Sequence, residues 1–389
     1  MEVSTTEFTK RAVATCEHFG FRHQSIFRNL PECRNCTITL SHNASALDKR
    51  KDGVGGLIAG GVSAYADEKL NALQEPVFYY NLEPVPRTGE VALSLHIFGV
   101  EKSIAEAILI QTIRSLLQDS GLPNQTVRIN SLGDNDSQTR YTRELSNFLK
   151  RRINDMPKPA RELMKEHSTL ALQHLIEEAH PLVQKCPSPL EHLTDQSRRH
   201  FREIVEYLDM SETPYEIDPR LIGHYHCWND AIFTIDQNDE LGNLLPEQPF
   251  RIQGGRYSSF FERHSKTRVP AVGAVVILQG KRSPARLPRP HQHKSNISII
   301  QLGFGPKVRS LLLIDQLRKL GINLHQDLAS DSLSAQLRAA EARGTLYTII
   351  IGQKEYVEGT VILRDMLGRN QESVLISDLP ARLKKIQTV

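Results

Sequence analysis

The stretch LYTIIIGQKEYVEGTVILRDM, residues 346–366, decides how the C-terminal part of this chain folds. Tyr347–Ile351 is a run of β-branched and aromatic residues of the kind that fills a buried strand. Gly352 and Gly359 bracket a turn region, and GTVILRDM then opens a further short strand. Upstream, ISIIQLGF (297–304) reads as another buried strand. Pro306 opens a helix, because its missing N–H costs nothing in a first turn, and VRSLLLIDQLRKL carries that helix to Gly321. INLHQ (322–326) is the next strand, and SLSAQLRAAEAR (332–343) is a second helix closed by Gly344. SVLI (373–376) and SDLPARLKKI (377–386) follow as a strand and a closing helix. Strands alternating with helices of this length predict right-handed crossovers and a parallel sheet, a small α/β unit over 297–389.

The residues before it read differently. A helix opens at Thr5, and PVFYYNLEPVPRTGEVALSLHIFGVE (76–101) reads as two strands joined by a turn at 86–89. SIAEAILIQTIRSLLQDSG (103–121) is a helix with a Ser103–Glu106 capping box, one apolar face through Ile104, Ile108 and Ile113, and a stop at Gly121. VRIN is a strand, and residues 137–210 are largely helical and highly charged. PYEIDPRL, AIFTID, PFRIQG and VGAVVIL return to strands. Long strands in hairpins with helices on one side predict an α+β antiparallel sheet over 1–280. KRSPARLPRPHQHKSN (281–296), rich in proline and base and without apolar period, predicts a linker.

Composition narrows the function only a little. Of 389 residues, 39% are hydrophobic and 24% charged, as in ordinary globular proteins. Lys plus Arg is 48 against 45 for Asp plus Glu, so any basic surface for nucleic acid must be local. The longest apolar run, Val269–Leu278, is too short to span a bilayer as a helix, and the N-terminal residues carry no apolar leader core, so no membrane association is expected. Five cysteines suggest free thiols in a reducing, cytoplasmic setting. Cys33 and Cys36 have CxxC spacing without a second pair; His224, His226 and Cys227 alternate as along a strand; both groups read as non-metal, and no metal is expected.

One further stretch, RIQGGRYSSF (251–260), raises a chemical question. Gly254 and Gly255 permit a close backbone approach, and Arg256 and Tyr257 could line a pocket for an anionic or aromatic ligand. The same glycines would equally suit a tight turn between strands.

The C-terminal unit closely resembles the anticodon-binding domain of histidyl-tRNA synthetase and its class II relatives, through the spacing Gly352, Glu355, Gly359, Val361 and Arg364, where the family usually has Lys at the last position. The first part resembles the class II catalytic core of that family. FGVE (98–101) matches the end of motif 2, INSLGD (129–134) with Tyr141 and Leu145 the elements after it, GGRY (254–257) a histidine-specific motif, and VPAVGAVVIL (269–278) the approach to motif 3. IDPRLIGHYHCWNDAIF (217–233) stands where the family carries Leu-Val-Arg-Gly-Leu-Asp-Tyr-Tyr. The resemblance spans nearly the whole chain and is thinnest over 24–75.

The resemblance implies an amino-acid pocket lined by Gly254, Gly255, Arg256 and Tyr257, with Glu101 taking the α-amino group. It also implies adenylation, in which fixed guanidinium groups meet the charge that develops on the α-phosphate. Two of the family's three arginine positions hold Gly223 and Gly280 here, and Ile277-Leu278-Gln279-Gly280 replaces Gly-Leu-Glu-Arg at motif 3. Arg87 stands as a motif 2 remnant in a turn shorter than the family's ATP loop; Lys281 or Arg282 could substitute at motif 3. The resemblance therefore implies a catalytically impaired relative that binds tRNA or another structured RNA through its C-terminal domain, with Lys384 and Lys385 as RNA contacts and no cofactor. The alternatives are an active histidine–tRNA ligase with a remodelled site, using ATP and Mg, and a synthetase-like regulatory subunit with a protein partner. In the vestigial case Glu101, Arg256 and Tyr257 would satisfy one another. A homodimer is expected by analogy with class II cores.

Overall fold

Strict alternation in the central strands sorts their side chains onto two faces. The computed structural model describes residues 4–24, 61–62, 64–65, 76–84, 90–223, 227–279, 288 and 295–387. Its first sheet has eight strands: β1 (Arg22–His23), β2 (Val77–Pro84), β3 (Val91–Phe98), β4 (Gln125–Ser131), β5 (Tyr215–Ile217), β6 (Asn229–Gln237), β7 (Phe250–Arg256) and β8 (Ala271–Leu278). They lie in the order β1-β2-β3-β8-β7-β6-β4-β5. All neighbours are antiparallel except the two outermost pairs, β1/β2 and β4/β5. The registers Leu93↔Val276 and Ile252↔Val276 put every second residue of β3, β8 and β7 on one apolar face. The expected turn at 86–89 lies outside the described residues.

That face is covered by helices α1 (Thr5–His18) and α2 (Ile104–Asp119). The sequence predicts one apolar stripe for α2, yet every residue from Ile104 to Leu117 is buried. The reason is a second layer. The helices α3 (Asn135–Arg151), α4 (Lys158–Glu166), α5 (Ser168–Glu177) and α6 (Asp195–Met210) follow β4, and α6 packs on α2. Tyr207 of α6 donates to Gln111 at 2.7 Å, and buried Arg114 donates to Thr213 at 2.5 Å. A C-terminal helix then closes the remaining side. The expected capping box is also replaced: Ser103 donates to Glu203, and Glu106 turns inward, away from the helix terminus. Between α3 and α5 a smaller core forms from Tyr141, Leu145, Leu149, Leu172 and Leu175.

The second sheet holds β9 (Ile297–Gln301), β10 (His325–Gln326), β11 (Tyr347–Ile351), β12 (Thr360–Asp365) and β13 (Gln371–Leu375), ordered β10-β9-β11-β12-β13. The pairs β10/β9 and β9/β11 are parallel, as expected, and helix α7 (Phe304–Lys319) carries Pro306 in its first turn. The expectation of a parallel sheet fails for β12 and β13, which are antiparallel. The connections explain it. Between β11 and β12 the chain has room only for the short helix Gln353–Glu358, ended by left-handed Gly359 at φ 67°, whereas a parallel crossover needs about a dozen residues or more. The Gly352–Gly359 stretch is thus a helical turn whose Glu355 carboxylate accepts from the Gly352 amide at 3.0 Å.

The two sheets meet through α2 and α7. Ser115 donates to Asp315 at 2.7 Å; Arg318 bridges Asp119 and Asp315, the latter at 2.9 Å. His18 donates to the Ile314 carbonyl at 3.2 Å, and Gln326 to the Phe19 carbonyl at 2.8 Å. Burial of His18 lowers its pKa to about 4, which keeps it neutral in this contact. Arg318 is 13% exposed and its partner Asp315 8%; without Arg318, Asp315 keeps Ser115 and Lys319, the latter at 2.8 Å, while Asp119 loses its two guanidinium contacts. Arg318→Ala is expected to lower stability by about 2 kcal/mol, between the roughly 0–1 of an exposed pair and the roughly 3–5 of a fully buried one. Urea unfolding measures it, and an unchanged midpoint would show that the contact holds nothing.

Candidate functional site

The Gly-Gly pair sits inside β7, in the middle of the sheet, and is not a turn. What approaches these glycines is the protein itself. A Cβ on Gly254 would stand 2.3 Å from the Phe233 ring and 2.8 Å from Ala274; one on Gly255 would stand 2.5 Å from the Ala231 carbonyl oxygen and 3.0 Å from Trp228. Opposite Gly255 the β6 register shifts between Asn229 and Ile232, and the bulge brings its backbone inward.

Arg256 and Tyr257 leave β7 in opposite directions. Arg256 is 4% exposed and grips both Glu106 oxygens, at 2.8 and 2.9 Å. Its remaining donors reach the carbonyls of Val100 at 3.1 Å and Lys102 at 3.3 Å. Glu106 also receives His200 at 3.0 Å. Burial alone would raise the Glu106 carboxyl; Arg256 and then His200 outweigh it and bring the pKa down to about 2. Tyr257, fully buried on the other face, meets His96 Nδ1 at 2.7 Å. Burial pushes the Tyr257 hydroxyl well above its ordinary range and His96 down to about 3, so the pair is neutral. Phe98, Phe261, Tyr65 and Trp228 pack around it.

Glu101 lies apart from both. It is exposed, on the turn between β3 and α2, beyond Gly99 at φ 85°. The expectation that Glu101, Arg256 and Tyr257 satisfy one another is therefore wrong: each goes to a different neighbourhood, because Glu106 reaches Arg256 first and His96 faces Tyr257. Only one part of the triad survives. The carbonyls that Arg256 holds are those immediately before and after Glu101.

Of the positions where the family carries phosphate-binding arginines, the one at Gly223 is closed. Gly223 has φ 59°, and a Cβ there would stand 2.3 Å from Ile232 and 2.7 Å from Trp228, which is itself buried. Ile277 is buried on the sheet face that carries Val275 and Phe98. Gly280, Lys281, Arg282 and Arg87 lie outside the described residues, as do Cys33, Cys36, His224 and His226. Cys16 and Cys186 are free thiols, and no group of three His, Cys, Asp or Glu suited to a metal occurs among the described residues. Lys384 and Lys385 stand exposed on the last helix, Leu379–Gln387, which buried Leu383 anchors.

The sequence missed Glu106, His200 and His96. Glu106 was absorbed by a plausible capping pattern. His96 alternates with the core residues Leu95 and Ile97 and so already pointed to the opposite face.

Residues 309–386 match the family model described as anticodon binding domain. The histidine–tRNA ligase of Halothermothrix orenii is 25% identical over 339 residues, covering 84% of this chain and 79% of the relative. That of Thermoanaerobacter pseudethanolicus is 26% identical over 339 residues, with the same shares. The crystal structure of apo S. aureus histidyl-tRNA synthetase superposes with a TM-score of 0.51 at 15% identity, over 96% of this chain and 94% of that one. An antiparallel core with helices on one face and an anticodon-binding domain behind it is the class II aminoacyl-tRNA synthetase-like fold. Within that class the chain is similar over most of its length to histidine–tRNA ligases, and residues 309–386 form an anticodon binding domain.

The neutral His96 gives a pH signature. Its folded pKa, about 3, lies below the ordinary value of 6.5. The stabilisation is full above pH 6.5 and is lost as pH falls toward 3, because the unfolded chain takes up the proton first. Between pH 6.5 and 4.5, above the range where Glu106 matters, His96→Gln is expected to flatten the fall in stability by up to about 1.4 kcal/mol per pH unit, the value for one proton. Denaturation at four pH values reads it; an unchanged slope would mean that His96 protonates in the fold.

Proposed function

We propose that this chain is a non-adenylating member of the histidyl-tRNA synthetase family that retains an ammonium-binding carboxylate at Glu101 and binds RNA through its C-terminal anticodon-binding domain. The observation that carries the first part is Gly223. At that position the family places a guanidinium, and here the backbone is left-handed and the space beyond it is taken by Trp228 and Ile232. Ile277, where the family has glycine, adds side-chain bulk at motif 3. Losing one preorganised donor to a developing oxyanion typically costs about 10²–10³ in rate. Two such losses leave the α-phosphate without its clamps, although such effects do not add simply.

The remaining features support a binding role. Glu101 is an exposed carboxylate on a well-held turn, suited to an amino acid's ammonium. Residues 1–280 then serve as a scaffold, 281–296 as a basic tether and 297–389 as the RNA-binding unit, with Lys384 and Lys385 meeting phosphates. The chain works as a homodimer in the cytoplasm; no helix among the described residues is long and apolar enough to cross a membrane. ATP and Mg have a role only if the ligase chemistry persists, as in the relatives named histidine–tRNA ligases.

Purified protein is expected to show no histidine-dependent ATP–pyrophosphate exchange above background. Robust exchange that disappears in Glu101→Ala would restore the ligase reading. For RNA, filter binding of tRNA at several salt concentrations is expected to show a salt-sensitive complex. Lys384→Glu with Lys385→Glu should weaken it and flatten the log–log salt slope by about 1.4–1.8, the value for two lost phosphate contacts. Undetectable binding at low salt, or no effect of the double variant, would favour a protein partner instead.

A further inference from the structure

Arg256 belongs to the stretch that the family resemblance places along the amino-acid pocket, yet its geometry leaves little for a ligand. A guanidinium has five N–H donors in one rigid plane. Four of them are engaged, two by Glu106 and one each by the carbonyls of Val100 and Lys102. The side chain is 4% exposed. An anionic group on a ligand would have to displace Glu106, whose carboxyl Arg256 and His200 hold strongly in its charged form.

The two carbonyls are the informative contacts. They flank Glu101, so one planar group fixes the peptide units on both sides of the exposed carboxylate. The turn is held at its entrance as well, where the Gly99 amide donates to the Pro270 carbonyl at 2.8 Å. It is held at its exit by the salt bridge from Lys102 to Asp331, at 2.5 Å. Glu106 sits within the first turn of α2 and anchors the guanidinium from the helix side. The side chain of Glu101 is therefore the outward-pointing member of a turn whose backbone has been fixed from behind.

We infer that Arg256 is a positioning residue, which acts on an amino-acid ligand only through Glu101 by clamping the Val100 and Lys102 carbonyls. The inference rests on the reading of Glu101 as an ammonium site. It assigns Arg256 a different task from Gly254 and Gly255, which make room for Phe233 and Trp228, and from Tyr257, which is held by His96. A lysine at 256 keeps the charge beside Glu106 but cannot bridge two carbonyls and a carboxylate in one plane.

The test is a thermodynamic cycle of Arg256→Lys and Glu101→Ala in the full-length protein, read by calorimetric titration. The ligands are L-histidine, histidinol, which keeps the ammonium and lacks the carboxylate, and imidazole-4-propionate, which lacks the ammonium. Glu101→Ala is expected to weaken histidine and histidinol about tenfold or more, the value of a charge-assisted hydrogen bond. Arg256→Lys should weaken both about fivefold and leave imidazole-4-propionate unchanged; in the Glu101→Ala background it should have no further effect. If the lysine variant does not fold by circular dichroism, Gly99→Ala disturbs the same turn without touching the buried pair. Its Cβ meets nothing nearer than 3.5 Å, but φ 85° is strained for alanine, and the same non-additive pattern is expected. Independent effects of the two substitutions, or equal weakening of imidazole-4-propionate, would overturn the positioning role and leave the ammonium site standing. Failure of the wild-type protein to bind histidine or histidinol at millimolar concentration would overturn both.

Discussion

Helix α2, Ile104–Asp119, is the part on which the rest of the molecule depends. It is buried on every side between the first sheet, the helix α6 and the helix α7, and the polar groups in its middle, Gln111 and Arg114, are paired with Tyr207 and Thr213. Its two ends do different work. At the N-terminal end Glu106 holds Arg256, and through it the turn that presents Glu101. At the other end Ser115 and Asp119 hold Asp315 and Arg318 of the second sheet's unit. A rigid rod thus connects the candidate amino-acid site to the anticodon-binding domain.

The Arg256–Glu106 pair illustrates how a buried charge is made tolerable. Removing a guanidinium and a carboxylate from water costs several kcal/mol each, and a single contact rarely repays it. Here the carboxylate takes three donors and the guanidinium two further carbonyls, so neither keeps a charged face without a partner. On the opposite face of the sheet the solution is different. Tyr257 and His96 are both neutral, and aromatic rings surround them. The two residues of one short motif are therefore stabilised by opposite means, one by compensated charge and the other by its absence.

Much of the architecture was legible because it follows from short-range rules. Long strands read as hairpins gave the antiparallel sheet, the glycines after α7 and after SLSAQLRAAEAR gave helix ends, and the βαβ pattern gave the parallel pairs around β9. The orientation of β12 and β13 was not legible from the βαβ pattern, because the residue pattern within a strand does not fix its direction. Only the length of the connection separates them. The Ser103–Glu106 pattern misled for a related reason: a capping box and an inward ion pair use the same residue types at the same spacing.

By itself the sequence determined the two-sheet organisation, the resemblance to histidyl-tRNA synthetases and the absence of arginine at 223. These depend on residue identity and near-neighbour spacing. Tertiary structure alone decided that Gly254 and Gly255 admit Phe233 and Trp228, that Gly223 is walled in, and that Arg256 reaches the turn around Glu101. In each case the partners come from strands or helices far apart in the chain. Arg256 and Glu106 are separated by 150 positions, and nothing in either segment specifies that a folded sheet will bring the end of β7 beneath the start of α2.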